Sequence, residues 1–498
     1  MRQLSEHDAA FIYSDNAHAN SNVTLLHIYD QSTAPRGVVR FKHILAQLES
    51  SLHRLPNFRE RILRVPLDLD YPYWIEDENF NIEYHVRHIA LPKPGDWRQF
   101  CIQVSRIHTR PLDLQRPLWE MYVIEGLDSL LDLPAGSFAV LLKVHHAAID
   151  IAHGNEITAL LHDLSPDSPA PTPAAPWFPE PPPGNMALLA RAWFNFATFP
   201  LRMKQPLGTG WTALKSAAGT FMGEFTGRSY PFPMTRFNTE VSAHRVFDTR
   251  RFALADFKDI RALVPRASVN DVVLAVCAGG LRRYLALQDE LPVDSLVAAS
   301  PIAVHSDMEH DAGAKFSWAR VALGTHLEDP VKRLKAIHTE SSSSKTMAQA
   351  ISARELTELA ESAPSVAIAA SSRMLRSASS QLGDWVPLAN CAITNVPGSS
   401  VPMYLQGAQL TYVSAIMPIS DGMGLVFSVT GYNGSIVISF TACSEQIPDP
   451  DVFALCLRDS FQEYLALARP STLGKPRPAF KRPARPTRKH KIIAKSVA

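Results

Sequence analysis

Nine prolines fall within the twenty residues 165–184, SPDSPAPTPAAPWFPEPPPG. Proline fixes φ and removes a backbone donor, so this stretch can be neither a helix nor a central strand. It reads as a semi-rigid, extended crossover. The chain of 498 residues is long enough for three average domains or two larger ones. The proline run marks its clearest boundary. The expected organisation is an N-terminal domain over 1–164, a crossover with an amphipathic segment over 165–240, a C-terminal domain over 241–470, and a tail over 471–498. The apolar, aromatic segment 186–203, MALLARAWFNFATFPLRM, has two readings: a helix packed on the body, or an interfacial helix dipping into lipid.

Charge is distributed unevenly. The whole chain has 49 basic and 48 acidic residues, a balance that makes no global case for a nucleic-acid partner. Residues 471–498, however, carry nine lysines and arginines and no acid, leaving 40 basic against 48 acidic residues in the other 470. A mildly acidic body with a basic, disordered tail is expected. Near anionic lipid such a tail serves as an electrostatic anchor. Hydrophobic residues at 46% and charged residues at 19% exclude global disorder. Five widely spaced cysteines, an odd number with no CxxC pair, predict buried thiols in a reducing compartment and exclude a zinc site of that type. The start, MRQLSEHDAAFIY, is not a signal peptide. No uncharged run of 18 apolar residues occurs, so no membrane span is expected. The expected location is the cytoplasm, with peripheral attachment to a membrane or lipid inclusion.

Helices and strands are interleaved in both halves without regular βα alternation. Ile44, Leu45, Leu48, Leu52 and Leu55 predict a helix over 41–55, and SFAVLLKV predicts a buried strand over 137–144. Ile157, Leu160, Leu161 and Leu164 predict a helix over 154–164. Ser268 and Asp271 form a capping signature for a long helix over 268–288, in which Gly279 and Gly280 imply close packing. Asn433-Gly434 joins two apolar runs as a hairpin, and 451–468 is a closing amphipathic helix.

The stretch richest in chemistry is His145-His146-Ala147-Ala148-Ile149-Asp150, directly after the strand over 137–144. Successive strand residues point to opposite faces, so two adjacent histidines cannot both face one substrate. One projects into a cleft and the other packs behind it. Asp150 lies in the turn leaving the strand, where a carboxylate fixes the turn or pairs with a base. Three readings stand at this point: a structural pair, a metal site, which neighbours on a strand serve poorly, and a general base with its tautomer held.

HHAAID resembles the HHxxxDG motif of CoA-dependent acyltransferases. Four further segments resemble one family of that superfamily, the bacterial wax ester synthase/acyl-CoA:diacylglycerol acyltransferases. They are Leu4-Ser5 with Asp8-Ala9 and Phe11, Arg116-Pro117-Leu118-Trp119-Glu120 (PLW), Val269-Asn270-Asp271-Val272-Val273 (ND), and Asn395-Val396-Pro397-Gly398 (NVPG). They occur in the family's order and cover roughly residues 1–468. The resemblance implies a mixed α/β fold of two chloramphenicol-acetyltransferase-like domains forming a pseudo-dimer with an interfacial tunnel. It implies transfer of an acyl group from acyl-CoA, a substrate rather than a cofactor, to a fatty alcohol or diacylglycerol, with no cofactor and no metal. His146 is then the general base in a ternary complex, and Asn270 a candidate oxyanion donor that could equally be a helix-terminal residue. Asp150 holds the loop and His145 packs behind. Pro117, Leu118 and Trp119 form a tunnel wall, and Asn395, Pro397 and Gly398 do the same on the other side.

The chain departs from the family pattern at two places. Ile151 stands where glycine usually follows the motif aspartate, and Gly313-Ala314 stands where the family commonly has Gly-Asn. A β-branched residue forbids backbone conformations that glycine allows. Ile151 therefore predicts a narrower approach to His146, favouring slim linear alcohols over diacylglycerol. It also keeps open a second reading, a catalytically weak paralogue that binds acyl chains or coats lipid inclusions. Transfer from a carrier protein, as in condensation domains, shares only the HHxxxD core.

Overall fold

The computed structural model describes residues 1–127, 133–149, 161–167, 177–202, 232–304, 315–350, 389–396 and 398–469. The N-terminal part runs β1 (Arg2–Gln3), α1 (Glu6–Ser14), β2 (Asn22–Asp30), α2 (Phe41–Ser51), β3 (Glu60–Leu63), β4 (Tyr73–Glu76), α3 (Ile82–His85), β5 (Val86–Ala90), α4 (Trp97–Thr109), β6 (Trp119–Glu125) and β7 (Phe138–His145). After the connector come α5 (Asn185–Arg202), β8 (Arg245–Ala253), α6 (Leu254–Arg261), α7 (Val269–Leu287), β9 (Val297–Val304), β10 (Lys315–Ala322) and α8 (Pro330–Ala350). The chain closes with β11 (Cys391–Val396), β12 (Tyr404–Leu405), β13 (Ala408–Ile416), β14 (Leu425–Tyr432), β15 (Ser435–Cys443) and α9 (Pro450–Ala468).

Two six-stranded mixed sheets organise the two lobes, in the orders β12-β13-β2-β7-β6-β5 and β10-β9-β11-β14-β15-β8. A small sheet, β1-β4-β3, lies beside the first. The first sheet contains two strands from the far end of the chain, β12 and β13, and β13 pairs antiparallel with β2, from Gln409 opposite Asp30 to Ile416 opposite Thr24. The C-terminal stretch thus completes the N-terminal lobe, and two strands cross the division at the proline run.

β7 is buried at every position, as an apolar strand in the middle of a sheet must be. Its alternate residues feed two cores. Phe138, Val140, Leu142 and Val144 face a cluster with residues of α1 and α2, including Ile12, Ile44 and Leu48. Ala139 and Leu141 face a second cluster with Phe100, Val104 and Ile107 of α4. The second lobe has its own core around α7 and α9. There the two glycines of α7 allow close approach: a Cβ on Gly279 would lie 2.1 Å from Ser460 Oγ, and one on Gly280 2.5 Å from Leu457 Cδ2. The Asn433-Gly434 turn has φ of +42° and +78° and pairs Tyr432 with Ser435, as a two-residue hairpin requires.

Two expectations are refined. The helix expected over 154–164 lies mostly outside the described residues, but its end is visible. Leu161 is buried, whereas Leu164 is 76% exposed because the chain has already left the helix and Asp163 forms a β-bridge with Tyr404. The segment at 186–203 forms α5, which packs Leu188 and Ala192 against Val65, Tyr73 and Ile75, while Met186, Trp193 and Phe194 are exposed. All five cysteines are buried free thiols. No helix among the described residues is long and apolar enough to cross a membrane. Gly313-Ala314 and the tail 471–498 lie outside the described residues.

Candidate active site

β7 ends at His145, and the next three residues, His146–Ala148, form a single 3₁₀ turn. The ring of His145 is 1% exposed and is held from both sides. Its Nδ1 accepts the backbone N–H of Ala147 at 3.1 Å. Its Nε2 meets Asp15 Oδ2 at 3.0 Å. A backbone amide can only donate, so Nδ1 is the acceptor and the proton sits on Nε2, donated to the carboxylate. The other oxygen of Asp15 accepts the Ser21 N–H at 2.8 Å, and the Ser21 carbonyl accepts the N–H of His146 at 2.8 Å. One carboxylate at the end of α1 thus ties the loop before β2 to the histidine turn. The His145 N–H also donates to the Leu118 carbonyl at 3.0 Å.

His146 is half-buried and its ring stacks on Phe11 of α1, with centroids 4.0 Å apart and planes at 22°. The two histidines therefore occupy different surroundings, one locked inside and one in the turn. Asp150 and Ile151 lie outside the described residues.

Pro117, Leu118 and Trp119 are core residues. Trp119 is 1% exposed, donates its indole N–H to the Phe58 carbonyl at 2.9 Å and stacks on His85 at 4.6 Å. None of the three lines the cavity around Asn270 or the one along α4. The Leu118 carbonyl fixes the end of β7. Beside it, Lys143 is fully buried with its ammonium 2.8 Å from Glu120. Burial pushes the lysine below its ordinary pKa, with Glu120 opposing; burial raises the Glu120 carboxyl, and Lys143, Arg87 and Tyr122 together more than reverse that.

The ND and NVPG segments meet in the second lobe. Asn270, Asn395 and Gly398 all line a cavity of about 320 Å³ together with Val273, Val429 and Tyr432. The Asn270 side chain makes no hydrogen bond among the described residues and sits in the first turn of α7, where the helix end is electropositive. Its neighbour Asp271 has a different task. It closes a capping box with Ser268 and accepts from Ser341 at 2.7 Å and His338 at 2.9 Å. Burial works against its charge, yet these hydrogen bonds hold its carboxyl below the ordinary range. Gly398 lets the chain pass over β14, since a Cβ there would lie 2.1 Å from the Gly431 carbonyl oxygen. Pro397 lies outside the described residues. Tyr432 links the two halves of the site: it lines this cavity and belongs to the apolar cluster that holds Val144, Ala147 and Ala148.

A model of the wax ester synthase/diacylglycerol acyltransferase catalytic domain matches residues 4–273, and one of the family's C-terminal domain matches 312–464. A putative diacylglycerol O-acyltransferase of Mycobacterium tuberculosis is 30% identical over 453 residues, covering 90% of this chain and 87% of its own. The chain belongs to the wax ester synthase/diacylglycerol acyltransferase family. An O-acyltransferase WSD of Acinetobacter baylyi is 30% identical over 386 residues, 76% of this chain and 79% of its own. Among solved structures, the wax ester synthase/diacylglycerol acyltransferase from Marinobacter aquaeolei VT8 superposes with a TM-score of 0.67 at 25% identity, over 94% of this chain and all of that one. A starter condensation domain of rhizomide synthetase, in complex with C8-CoA, shares the fold at a TM-score of 0.50 and 14% identity, over 94% of each chain. The lobes are accordingly the two chloramphenicol-acetyltransferase-like domains of this family.

Sequence reasoning missed Asp15. It lies 130 residues from its histidine, and no local pattern marks it. It missed Tyr432 for the same reason.

Proposed function

We propose that this family member transfers a long-chain acyl group from acyl-CoA to the hydroxyl of a fatty alcohol or diacylglycerol. The observation that carries the reading is the division of labour at the turn: His145 is locked by Asp15 and Ala147, and His146 stands half-buried beside it. The names of the relatives support acyl transfer, and none favours a non-catalytic, lipid-coating role.

A free alcohol does not ionise at neutral pH. His146 takes the proton of the acceptor hydroxyl as its oxygen attacks the thioester carbonyl; such a base is typically worth about 10²–10⁴ in rate. The negative charge developing on the carbonyl oxygen needs a fixed donor, and the Asn270 amide is that donor. The tetrahedral intermediate collapses, the C–S bond breaks and the CoA thiolate leaves with the proton returned from His146. His145 and Asp15 are positioning residues. Asp150 holds the loop, and Asn395, Pro397 and Gly398 shape the acceptor side. The N-terminal and C-terminal domains over 1–164 and 241–470 enclose a tunnel to this turn. Ile151 narrows the acceptor approach.

Purified protein with palmitoyl-CoA and either hexadecanol or dioleoylglycerol should release CoA and form wax ester or triacylglycerol. His146→Ala should abolish turnover with the fold intact, and His145→Ala should cost less per folded molecule. Ile151→Gly should raise the ratio of triacylglycerol to wax ester formed. Normal turnover by a folded His146→Ala protein would refute the base assignment; acyl-CoA bound without any turnover would favour the lipid-coating role.

Attachment to a lipid surface is the second part of the reading. It is supported by nine basic residues in 471–498 and by exposed Met186, Trp193 and Phe194 on α5. Each lysine or arginine near anionic lipid contributes about 1 kcal/mol, fading within a Debye length. Deleting 471–498 should weaken salt-sensitive binding to liposomes while leaving activity on dispersed substrate in place. Equal liposome binding with and without the tail would remove it from the account.

A further inference from the structure

Arg98, Ile102, Arg106 and Arg110 recur every four residues along and just past α4, and so form one stripe of its surface. That stripe is one wall of a cavity of about 720 Å³, and Arg245 and Arg250 of β8 stand on the other wall, in the second lobe. The groove therefore runs between the lobes. Three aspartates also line it, but they are committed. Asp451 meets Arg98 at 3.4 Å and Asp248 meets Arg250 at 2.8 Å. Asp96 caps the start of α4 by accepting the Gln99 N–H at 2.8 Å, at the end far from Arg110. Arg106 and Arg110 form no ion pair among the described residues. Arg245 donates to the carbonyls of His18 and Ser242, so its charge faces no carboxylate at ion-pair distance among those residues.

The C-terminal end of a helix ordinarily repels an anion through its free carbonyls. Here three of the carbonyls at that end are covered. The buried Lys143 ammonium donates to the carbonyls of Ile107 at 3.2 Å and Arg110 at 3.0 Å. Asn20 donates to Thr109 at 2.9 Å and Asn22 to Arg110 at 3.2 Å. The same two asparagines flank Ser21, whose carbonyl holds His146, and Asn22 lies opposite His145 in the sheet. The inner end of the groove thus abuts the loop that carries the histidine turn.

We propose that this groove receives the adenosine 3′,5′-bisphosphate end of the acyl-CoA donor, with Arg106 and Arg110 on its phosphates and Ile102 beneath the adenine. The proposal rests on the acyl-CoA reading of the active site and adds where the donor's anionic end is held. Guanidinium groups suit this task because their planar fork bonds phosphate oxygens in pairs. The apolar Ile102, two-fifths exposed between two arginines, suits a flat ring. Both test side chains are exposed, Arg106 on the helix and Arg110 just past its end, so their removal should leave the fold alone.

The test compares the full chain with its Arg106→Ala/Arg110→Ala variant. Calorimetric titration with CoA should show Kd raised about tenfold or more, the worth of lost hydrogen bonds to charged groups. KM for palmitoyl-CoA should rise in step with little change in kcat. Transfer from palmitoyl-pantetheine, which lacks the nucleotide, should fall by less than about twofold, a difference too small for a lost charged hydrogen bond. An unchanged Kd for CoA, or an equal loss with palmitoyl-pantetheine, overturns the assignment. So does loss of binding to phosphatidylglycerol vesicles with CoA affinity intact, which would make the groove a headgroup site. Absence of turnover by the unaltered chain with every donor would defeat the acyltransferase reading, while the CoA titration still decides the groove.

Discussion

A ring held by two hydrogen bonds has neither nitrogen left for a substrate proton, and this is the position of His145. With Nδ1 occupied by Ala147 and Nε2 by Asp15, His145 can only support. His146 has its backbone pinned by Ser21 and its ring against Phe11, so it is oriented from two directions without being sealed in. The adjacency of the histidines was readable from the sequence, because a strand followed by HHAAID limits both rings to opposite sides. The lock was not readable, because Asp15 comes from α1 and meets His145 only through the tertiary fold. Asn270 invites a test at the same scale. Its amide makes no hydrogen bond among the described residues and lines a cavity, whereas Asp271 beside it is tied to α8. Asn270→Ala should leave Tm nearly unchanged and lower kcat by about 10²–10³, the usual cost of one oxyanion donor, with KM for acyl-CoA little altered. A loss of Tm with kcat intact would make Asn270 a helix-end residue only.

At the scale of elements, what was legible depended on how local the signal is. The capping pair Ser268 and Asp271 placed the start of α7 within one residue, because both partners lie in the same turn. The glycine pair inside α7 implied close packing, and the partner proves to be α9, through Ser460 and Leu457. The hairpin at Asn433-Gly434 followed from two residues that tolerate positive φ. β13 was not legible in the same way. An apolar strand has the same periodicity whichever sheet it joins, and only long-range register with β2 assigns it to the first lobe. The PLW segment shows a related limit: the tripeptide was recognised, but its depth was not, since Trp119 is spent on Phe58 and His85 in the core. The arginine groove escaped notice because half of its wall comes from α4 and half from β8, some 140 residues later.

Across the whole molecule the lobes are stitched by more than a linker. β13 sits in the first sheet, Trp97 of α4 donates to Asp248 of β8 at 2.8 Å, and Arg245 of β8 donates to the carbonyl of His18 at 2.6 Å. Near this seam lies a buried titratable group. His108 of α4 pairs with Thr24 Oγ1 at 2.9 Å, and its pKa is pushed down to about 3 by burial first and then by the charges of Lys143 and Arg245, with the Met417 backbone opposing. The sign of the consequence follows. In the unfolded chain the imidazole takes up a proton near its ordinary 6.5, whereas in the folded protein it stays neutral until the pH approaches 3. The stability due to a neutral, buried His108 is therefore fully present above pH 6.5 and is lost as the pH falls from there toward 3. The slope is about 1.4 kcal/mol per pH unit for one such group. His108→Asn keeps a side chain able to bond Thr24 but removes the titration. Urea unfolding of both proteins between pH 7 and pH 4 should show the stability of the native chain falling more steeply, so that the gap between the two narrows or reverses on acidification. Parallel pH profiles would show that His108 takes up its proton without opening the seam, and would place the acid sensitivity of the molecule elsewhere.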